Sequence, residues 1–251
     1  MRKLTQALLI AGIVGVPAFA ISPAMAGDAA AASPITANVT LASEYVYRGI
    51  SQTREKPALQ GGFDYAHDNG LYVGLWGSNI SWLEDLGVGA SSSLELDIYG
   101  GYKGKVNDDF SYDVGYLRYQ YPGSYPAGFI SPNTDELYVA GTYKMFTLKY
   151  SHSLSNLFGY DNSKGSGYID ASANFDLGSG FSLGLHAGHQ KIKNYSNFSY
   201  TDYKIGVTKD FGGGLSVTGA YIDTNADDTL YTVKNTKIAD SRFVLSVTKA
   251  F

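Results

Sequence analysis

Residues 240–251 read DSRFVLSVTKAF and alternate between apolar and polar side chains up to the last residue. One face carries the apolar residues Phe243, Leu245, Val247 and Phe251. The other face carries Arg242, Ser246 and Thr248. A period of two is typical of a strand with one apolar side. Chain ends usually fray, so an apolar strand ending on Phe indicates a last strand held by pairing, as in a closed barrel in lipid.

The first 26 residues have the features of a secretory signal peptide. Arg2 and Lys3 supply the basic start, residues 7–16 are apolar, and Ala24-Met25-Ala26 provides a small-x-small cleavage site. We therefore expect a signal peptide over 1–26, a short linker over 27–35 and an outer-membrane β-barrel over 36–251. Export through the periplasm to the bacterial outer membrane is the predicted route.

Composition narrows the functional classes. The chain has 23 Asp and Glu against 19 Lys and Arg, and the acidic excess grows by two when Arg2 and Lys3 leave with the signal peptide. This balance argues against a nucleic-acid partner. Cysteine is absent, which excludes disulfides and thiol chemistry, and the 21 tyrosines suit a boundary between hydrocarbon and water.

Twelve strands are predicted, most of them long enough to cross an outer membrane at a tilt. They cover 36–48, 58–67, 71–81, 92–104, 109–121, 135–144, 146–155, 166–177, 181–191, 199–210, 215–223 and 241–251. Short turns at 68–70, 105–108, 145, 178–180 and 212–214 alternate with long polar loops. This rhythm predicts an all-β, twelve-stranded antiparallel up-and-down transmembrane barrel with short periplasmic turns and longer extracellular loops. The strand at 109–121 alternates less cleanly and admits a bulge.

The polar strand faces predict which side chains point inwards. The expected pore-lining residues are Glu44, Arg48, Asp64, Glu95, Asp97, Asp113, Glu136, Lys149, Asp170, Lys204 and Arg242. Such a lumen would filter small polar solutes by charge and size, with a weak preference for cations. The alternative is that these groups pair with each other and fill the interior as structure. We further expect Arg48 to pair with a neighbouring carboxylate such as Asp64, and the loops at 122–134 or 224–240 to narrow the pore.

Several stretches resemble a known family. They are 45–53 (YVYRGISQT), 57–65 (PALQGGFDY), 72–79 (YVGLWGSN), 95–102 (ELDIYGGY), 112–116 (YDVGY) and 121–123 (YPG). Through them the chain resembles the TorF family of porin-like proteobacterial outer-membrane proteins, in detail over residues 36–150. The resemblance implies an outer-membrane location and a porin role, with no catalytic residues to carry over.

Metal, lipase and sugar-binding sites are each considered against a structural role for the same residues. No histidine shares a strand face with the partners of a metal site, and 223–234 lacks the Gly and Glu of a calcium loop, so no metal and no cofactor is expected. His152 lies between Ser151 and Ser153, which fall on the opposite face, and this disfavours a barrel lipase. The aromatic residues Trp76, Trp82, Tyr45, Tyr47, Tyr121, Tyr125 and Phe129 are interpreted as a membrane-interface girdle in preference to a sugar-stacking surface.

The sequence therefore predicts a non-enzymatic, porin-like channel for passive diffusion of small polar solutes. A non-conducting structural or partner-binding barrel is the alternative, and a barrel lipase is less favoured. Expected partners are outer-membrane lipid and lipopolysaccharide, the diffusing solutes, and the barrel-assembly machinery. The terminal strand, with Phe243, Leu245, Val247 and Phe251, is the segment expected to engage that machinery.

Overall fold

The computed structural model describes residues 33–251. The predicted signal peptide at 1–26 and most of the predicted linker at 27–35 lie outside the described residues, and the first strand begins at Ile35. None of the helices in the described part of the chain has the length and hydropathy needed for a transmembrane span.

The structure contains sixteen strands and two short helices. The elements in chain order are β1 (Ile35–Ala42), β2 (Val46–Tyr47), β3 (Ile50–Ser51), β4 (Ala58–Ala66), β5 (Leu71–Asn79), α1 (Trp82–Asp85), β6 (Leu94–Lys105), β7 (Phe110–Gln120), β8 (Thr134–Tyr143), β9 (Phe146–Ser153), β10 (Gly167–Gly178), β11 (Phe181–Lys191), a 3-10 helix (Ser196–Phe198), β12 (Tyr200–Asp210), β13 (Leu215–Thr224), β14 (Thr232–Val233), β15 (Thr236–Lys237) and β16 (Arg242–Ala250).

Twelve of these strands form a closed antiparallel barrel in the order β1-β16-β13-β12-β11-β10-β9-β8-β7-β6-β5-β4. Each strand pairs with its sequence neighbour in the barrel, and β16 closes the ring against β1 through five residue pairs, Asn38–Ala42 with Ser246–Ala250. The predicted twelve-stranded up-and-down barrel is confirmed. Predicted strand ends agree with the structure to within two residues, except that the first strand ends at Ala42 instead of residue 48.

The two ends of the barrel differ in their connections. Short connections between strands, such as 67–70 and 211–214, lie at one end, which we call the turn end. Gly70 has φ +97° there and Gly212 to Gly214 all have positive φ, as tight hairpins require. The long connections lie at the opposite, loop end. Strand β7 pairs without a shift, and the irregularity in the ladder lies in β10 between Asp176 and Gly178, so the bulge suggested for 109–121 is not present.

Alternation along the strands separates an apolar outside from a polar inside. Leu75 is 53% exposed and Leu137 47%, whereas their neighbours Trp76 and Glu136 are buried. In a closed barrel, the exposed face is the exterior and the buried face is the interior. The exterior therefore carries a continuous apolar belt, which is the arrangement that lipid requires.

The first long connection, residues 43–57, turns into the barrel instead of extending from it. Its strands β2 and β3 form a small hairpin, with Tyr47 paired to Ile50 across a two-residue turn. Both turn residues have positive φ, 45° for Arg48 and 78° for Gly49, as in a type I′ hairpin. The backbone N–H of Ser51 also donates to the carbonyl of Ile238 at 2.8 Å. We call residues 43–57 the lumen hairpin. The sequence predicts its first residues, 43–48, as the last residues of the first strand.

Candidate functional site

The interior of the barrel is the candidate site. The eleven predicted residues are all buried or half-buried in the structure. Nine belong to barrel strands, at positions that alternate with exposed apolar neighbours, and they therefore point inwards. The other two, Glu44 and Arg48, belong to the lumen hairpin.

Arg48 carries the lumen hairpin across the barrel to the wall opposite β1. Its Nη1 and Nη2 atoms donate to Glu136 Oε1 and Oε2 at 3.1 and 2.9 Å, and Nη1 also donates to Gln190 Oε1 at 2.7 Å. The guanidinium lies 4.2 Å from the ring centre of Tyr168. The hairpin is therefore held in two ways: the charge of the guanidinium is paired with Glu136, and its plane is stacked on the ring of Tyr168.

Arg48 does pair with a carboxylate, as predicted, but its partner is Glu136 of β8 and not Asp64. The Asp64 carboxylate accepts instead from the Tyr99 hydroxyl at 2.5 Å. The physical reason is the turn at Arg48, which removes this residue from β1 and places it far from β4. Burial disfavours the charge of the Arg48 guanidinium, but the Glu136 carboxylate more than offsets this and raises the pKa of Arg48 above its ordinary value.

The base of the lumen hairpin is fixed by a second ion pair. Arg242 Nη1 donates to Glu44 Oε1 at 2.7 Å, and both side chains are 6% exposed. The same carboxylate oxygen accepts from the Ser51 hydroxyl and from the backbone N–H of Glu55 at 2.9 Å. Because Arg242 opens β16 and Glu44 follows β1, this pair joins the first and last strands of the barrel at the loop end.

Two acidic residues of β6, Glu95 and Asp97, form an acidic wall that includes a buried carboxyl group without hydrogen-bond partners within the described residues. Asp97 is 0% exposed, and neither of its carboxylate oxygens has a hydrogen-bond partner within residues 33–251. It lies between Trp76 on β5 and Tyr119 on β7, its register partners on either side. One position along the same face, Glu95 is 2% exposed and accepts from the Tyr45 hydroxyl at 2.8 Å. Burying an unpaired carboxylate is costly, so this wall is the least satisfied part of the interior.

The opposite wall balances charge through a histidine. His186 Nδ1 lies 2.8 Å from Asp170 Oδ2, and its Nε2 lies 2.7 Å from Asp202 Oδ2. The Tyr168 hydroxyl donates to Asp202 Oδ1 at 2.9 Å. Lys149 on the neighbouring strand lies 4.2 Å above the ring centre of Tyr138. Positive and negative groups therefore alternate around this half of the interior.

The girdle interpretation of the aromatic residues is wrong. Tyr45, Trp76 and Tyr121 are at most 3% exposed and belong to one buried cluster, against which Tyr47, Trp82, Tyr125 and Phe129 pack. Tyr45 and Trp76 meet edge to face at 5.4 Å between ring centres. The cluster lies inside the loop end of the barrel, where it packs around the lumen hairpin. The sequence did carry a signal, because Trp76 shares its strand face with Tyr72 and Ser78 and not with Leu75.

The loops at 122–134 and 224–240 pack against the buried clusters at the loop end, and their narrowing of the pore stays a prediction. Tyr231 and Ile238 of the second loop pack with Ile50 and Tyr200 in a second buried cluster. Asp85 of α1 joins two loops, since its Oδ1 lies 3.2 Å from Arg54 Nη1 and 3.1 Å from Lys234 Nζ. The first connection therefore fills the lumen, and the others brace it from above.

The alternative sites do not assemble within the described part of the chain. No group of three or more His, Cys, Asp or Glu among residues 33–251 is arranged to hold a metal ion. His152 is exposed on the outer face and lies 3.3 Å from the Tyr150 hydroxyl, whereas Ser151 and Ser153 are buried on the inner face. This is the separation that the strand period predicts, and it does not bring a serine and its histidine together.

Solved porin structures share this architecture. The KdgM porin in complex with disordered oligogalacturonate superposes with a TM-score of 0.54 at 11% identity, over 86% of this chain and 98% of that one. The NanC porin gives 0.53 at 12% identity over the same shares. At these identities the likeness extends to the fold alone.

Sequence comparison gives the family. None of the curated protein sequences matches this chain at a significant level. Residues 26–251 match the family described as "Bacterial protein of unknown function (Gcw_chp)". The match covers the whole barrel, including the lumen hairpin and the terminal strand. The chain is therefore a member of the Gcw_chp family of bacterial proteins, with the twelve-stranded barrel fold found in porins.

Proposed function

We propose that this protein is an outer-membrane channel for the passive diffusion of small polar solutes, with a weak preference for cations. The observation that carries the proposal is the sidedness of the closed barrel. Its exterior is an apolar belt and its interior is lined by ion-paired and acidic side chains. A lipid-facing exterior around a polar interior is the organisation of outer-membrane channels. Of the eleven predicted lining residues, seven are acidic and four are basic, which favours cations.

Passage in this proposal is controlled by the lumen hairpin. The Arg48–Glu136 and Arg242–Glu44 pairs hold residues 43–57 across the interior at the loop end. Residues around the hairpin, such as Tyr119 and Glu136, are 2% exposed, so water has little access there. Solutes would pass when the hairpin moves away from Glu136. In this proposal the loops at 122–134 and 224–240 support the hairpin and do not act as the gate.

A non-conducting, structural barrel is the second candidate, and the same burial favours it. An interior filled by a hairpin, a buried aromatic cluster and paired charges is what a purely structural barrel would contain. Single-channel recording in planar bilayers separates the two proposals. Discrete conductance steps, with a reversal potential in a salt gradient that indicates cation selectivity, support the channel. Silence at every voltage, from protein shown to be folded by its resistance to protease, would leave the structural barrel.

The remaining expectations follow from this placement. We propose export with residues 1–26 as signal, folding by the assembly machinery through the terminal strand, contact with outer-membrane lipid and lipopolysaccharide, and membership of the TorF family. The apolar outer face of β16, with Phe243 66% and Leu245 48% exposed, supports lipid contact. We propose no catalytic role, and an esterase assay on refolded protein, with a known barrel lipase as positive control, tests this.

A further inference from the structure

A cleft of about 750 Å³ opens on the outside of the barrel at the loop end. It lies where the connections after β9 and β11 meet, and it is independent of the interior. Its lining residues are His152, Asn156, Asn162, Lys164, Gly165 and Lys193. Two ammonium groups, an imidazole and two amides line it, so the cleft is basic.

Two of the lining side chains, Lys193 and His152, converge on Gly165. Lys164 and Lys193 form no ion pair within residues 33–251. A Cβ placed on Gly165 would lie 3.7 Å from Lys193 Nζ and 3.9 Å from His152 Cε1, so both side chains reach the same glycine. The neighbouring carboxylate of Asp161 accepts hydrogen bonds from the backbone and side-chain nitrogens of Asn162 at 2.9 and 2.8 Å.

The cleft is held in shape by contacts between its two loops. The Lys193 backbone N–H donates to Ser166 Oγ at 3.0 Å, and Asn194 Nδ2 donates to the Asn162 carbonyl at 2.8 Å. The rings of Tyr160 and Tyr195 meet with their centres 5.1 Å apart. Because the backbones beneath the lysines are fixed, ligand binding needs to order only the side chains.

The position of the cleft indicates the ligand. His152 lies on the exterior of β9, and the next outward positions toward the turn end are Tyr150 and, across the sheet, Ile169, which are 44% and 46% exposed. The basic groups thus lie just above the apolar belt, at the level of lipid headgroups. Lys191, also outward, adjoins His152 through Gly167. From this we infer that the cleft binds a phosphate group of an outer-leaflet lipid headgroup, with Lys164 and Lys193 as the main contacts.

The inference rests on the proposed outer-membrane placement, and it is tested on the refolded full chain in nanodiscs of neutral phospholipid. These contain either a bisphosphorylated, lipid A-type glycolipid or the same glycolipid without phosphates, and retained lipid is counted by native mass spectrometry. We expect selective retention of the phosphorylated lipid. Lys164→Gln with Lys193→Gln should weaken it about tenfold or more, as loss of two charge-assisted contacts does.

The matched control is Lys105→Gln with Lys144→Gln, which removes the same charge at exposed positions at the turn end, away from the cleft. Retention by this variant should equal that of the native chain. Equal retention by the cleft variant, or equal retention of both lipids by the native chain, would overturn the inference. Competition by millimolar inorganic phosphate as strong as that by the lipid would do so too, by assigning the cleft to free phosphate. Conductance recorded in parallel keeps the two proposals separate, because a silent protein that retains the phosphorylated lipid fails only as a channel.

Discussion

Arg48 and Glu136 lie 88 residues apart and meet through two hydrogen bonds, of 3.1 and 2.9 Å, across the interior of the barrel. Glu136 belongs to β8, which is five strands from β1, the strand that precedes the lumen hairpin. The lumen hairpin leaves the barrel wall at β1, and this pair fixes it to the opposite wall at β8. In the proposed channel, conduction depends on whether this contact opens.

Arg48→Ala should release the lumen hairpin. Removing one partner of a buried ion pair leaves Glu136 uncompensated and costs about 3–5 kcal/mol. We expect larger or longer conductance steps in planar bilayers and a lower unfolding temperature in detergent. Arg118→Ala is the matched control, because its pair with Asp135, at 3.0 Å, lies on the outer face. Unaltered conductance in R48A would contradict a gating role for the hairpin.

Gly49→Ala tests the same hairpin without removing a charge. A Cβ on Gly49 would lie 2.6 Å from Asp202 Cβ, and φ +78° is unfavourable for alanine. Backbone strain alone costs about 1 kcal/mol, and the clash adds to it. We expect a conductance increase similar in direction to that of Arg48→Ala. Gly128→Ala is a suitable control, since Gly128 has a similar φ of +79° but nothing within 4 Å of the added Cβ.

The barrel could be predicted from the sequence, whereas the hairpin inside it could not. Strand ends followed alternation and glycine turns closely, because a period of two is forced wherever one face meets lipid. Tyr45 and Tyr47 alternate with the polar residues Glu44 and Arg48, so the sequence predicts a strand as far as residue 48. The Arg48-Gly49 turn depends on positive φ at an arginine, and the partner that stabilises it, Glu136, is distant in sequence. Long-range pairing of this kind is not encoded in a local pattern.

Asp97→Asn should stabilise the protein. The Asp97 carboxyl group is fully buried and neither oxygen has a partner within the described residues, so a neutral amide removes the cost of burying the group charged or of protonating it at neutral pH. We expect a gain of about 1–3 kcal/mol, measured as a higher midpoint of chemical unfolding in detergent. Asp64→Asn, by contrast, weakens a 2.5 Å bond from Tyr99 and should destabilise. Destabilisation by Asp97→Asn, or stabilisation by Asp64→Asn, would refute our description of the interior.

Acid should loosen the loop end through Asp85. Burial opposes its charge, but hydrogen bonds from Ser81 and Lys234 and the charge of Arg54 more than offset this and lower its pKa. A lowered pKa means that this stabilisation is complete above about pH 4, the ordinary value for Asp, and is lost as pH falls through the folded pKa. Hydrogen exchange of residues 80–93, corrected for intrinsic rate, should therefore change little between pH 7 and 5 and rise near pH 3. Asp85→Asn should show the fast exchange at every pH.

Phe251 has two separable roles in closing the barrel. Its backbone N–H donates to the Ala37 carbonyl at 2.9 Å, and its carbonyl accepts from the Ala37 N–H at 3.3 Å, while its side chain is 72% exposed. Deleting Phe251 removes both backbone bonds at the seam, whereas Phe251→Ala keeps them and removes only the ring. We expect the deletion to slow refolding into lipid vesicles, and the alanine variant to refold there like the native chain. In cells, where the assembly machinery is proposed to read the terminal strand, both variants should accumulate less folded barrel. Normal cellular assembly of Phe251→Ala would show that the ring is not read, and would leave backbone pairing with Ala37 as the contribution of Phe251 to assembly.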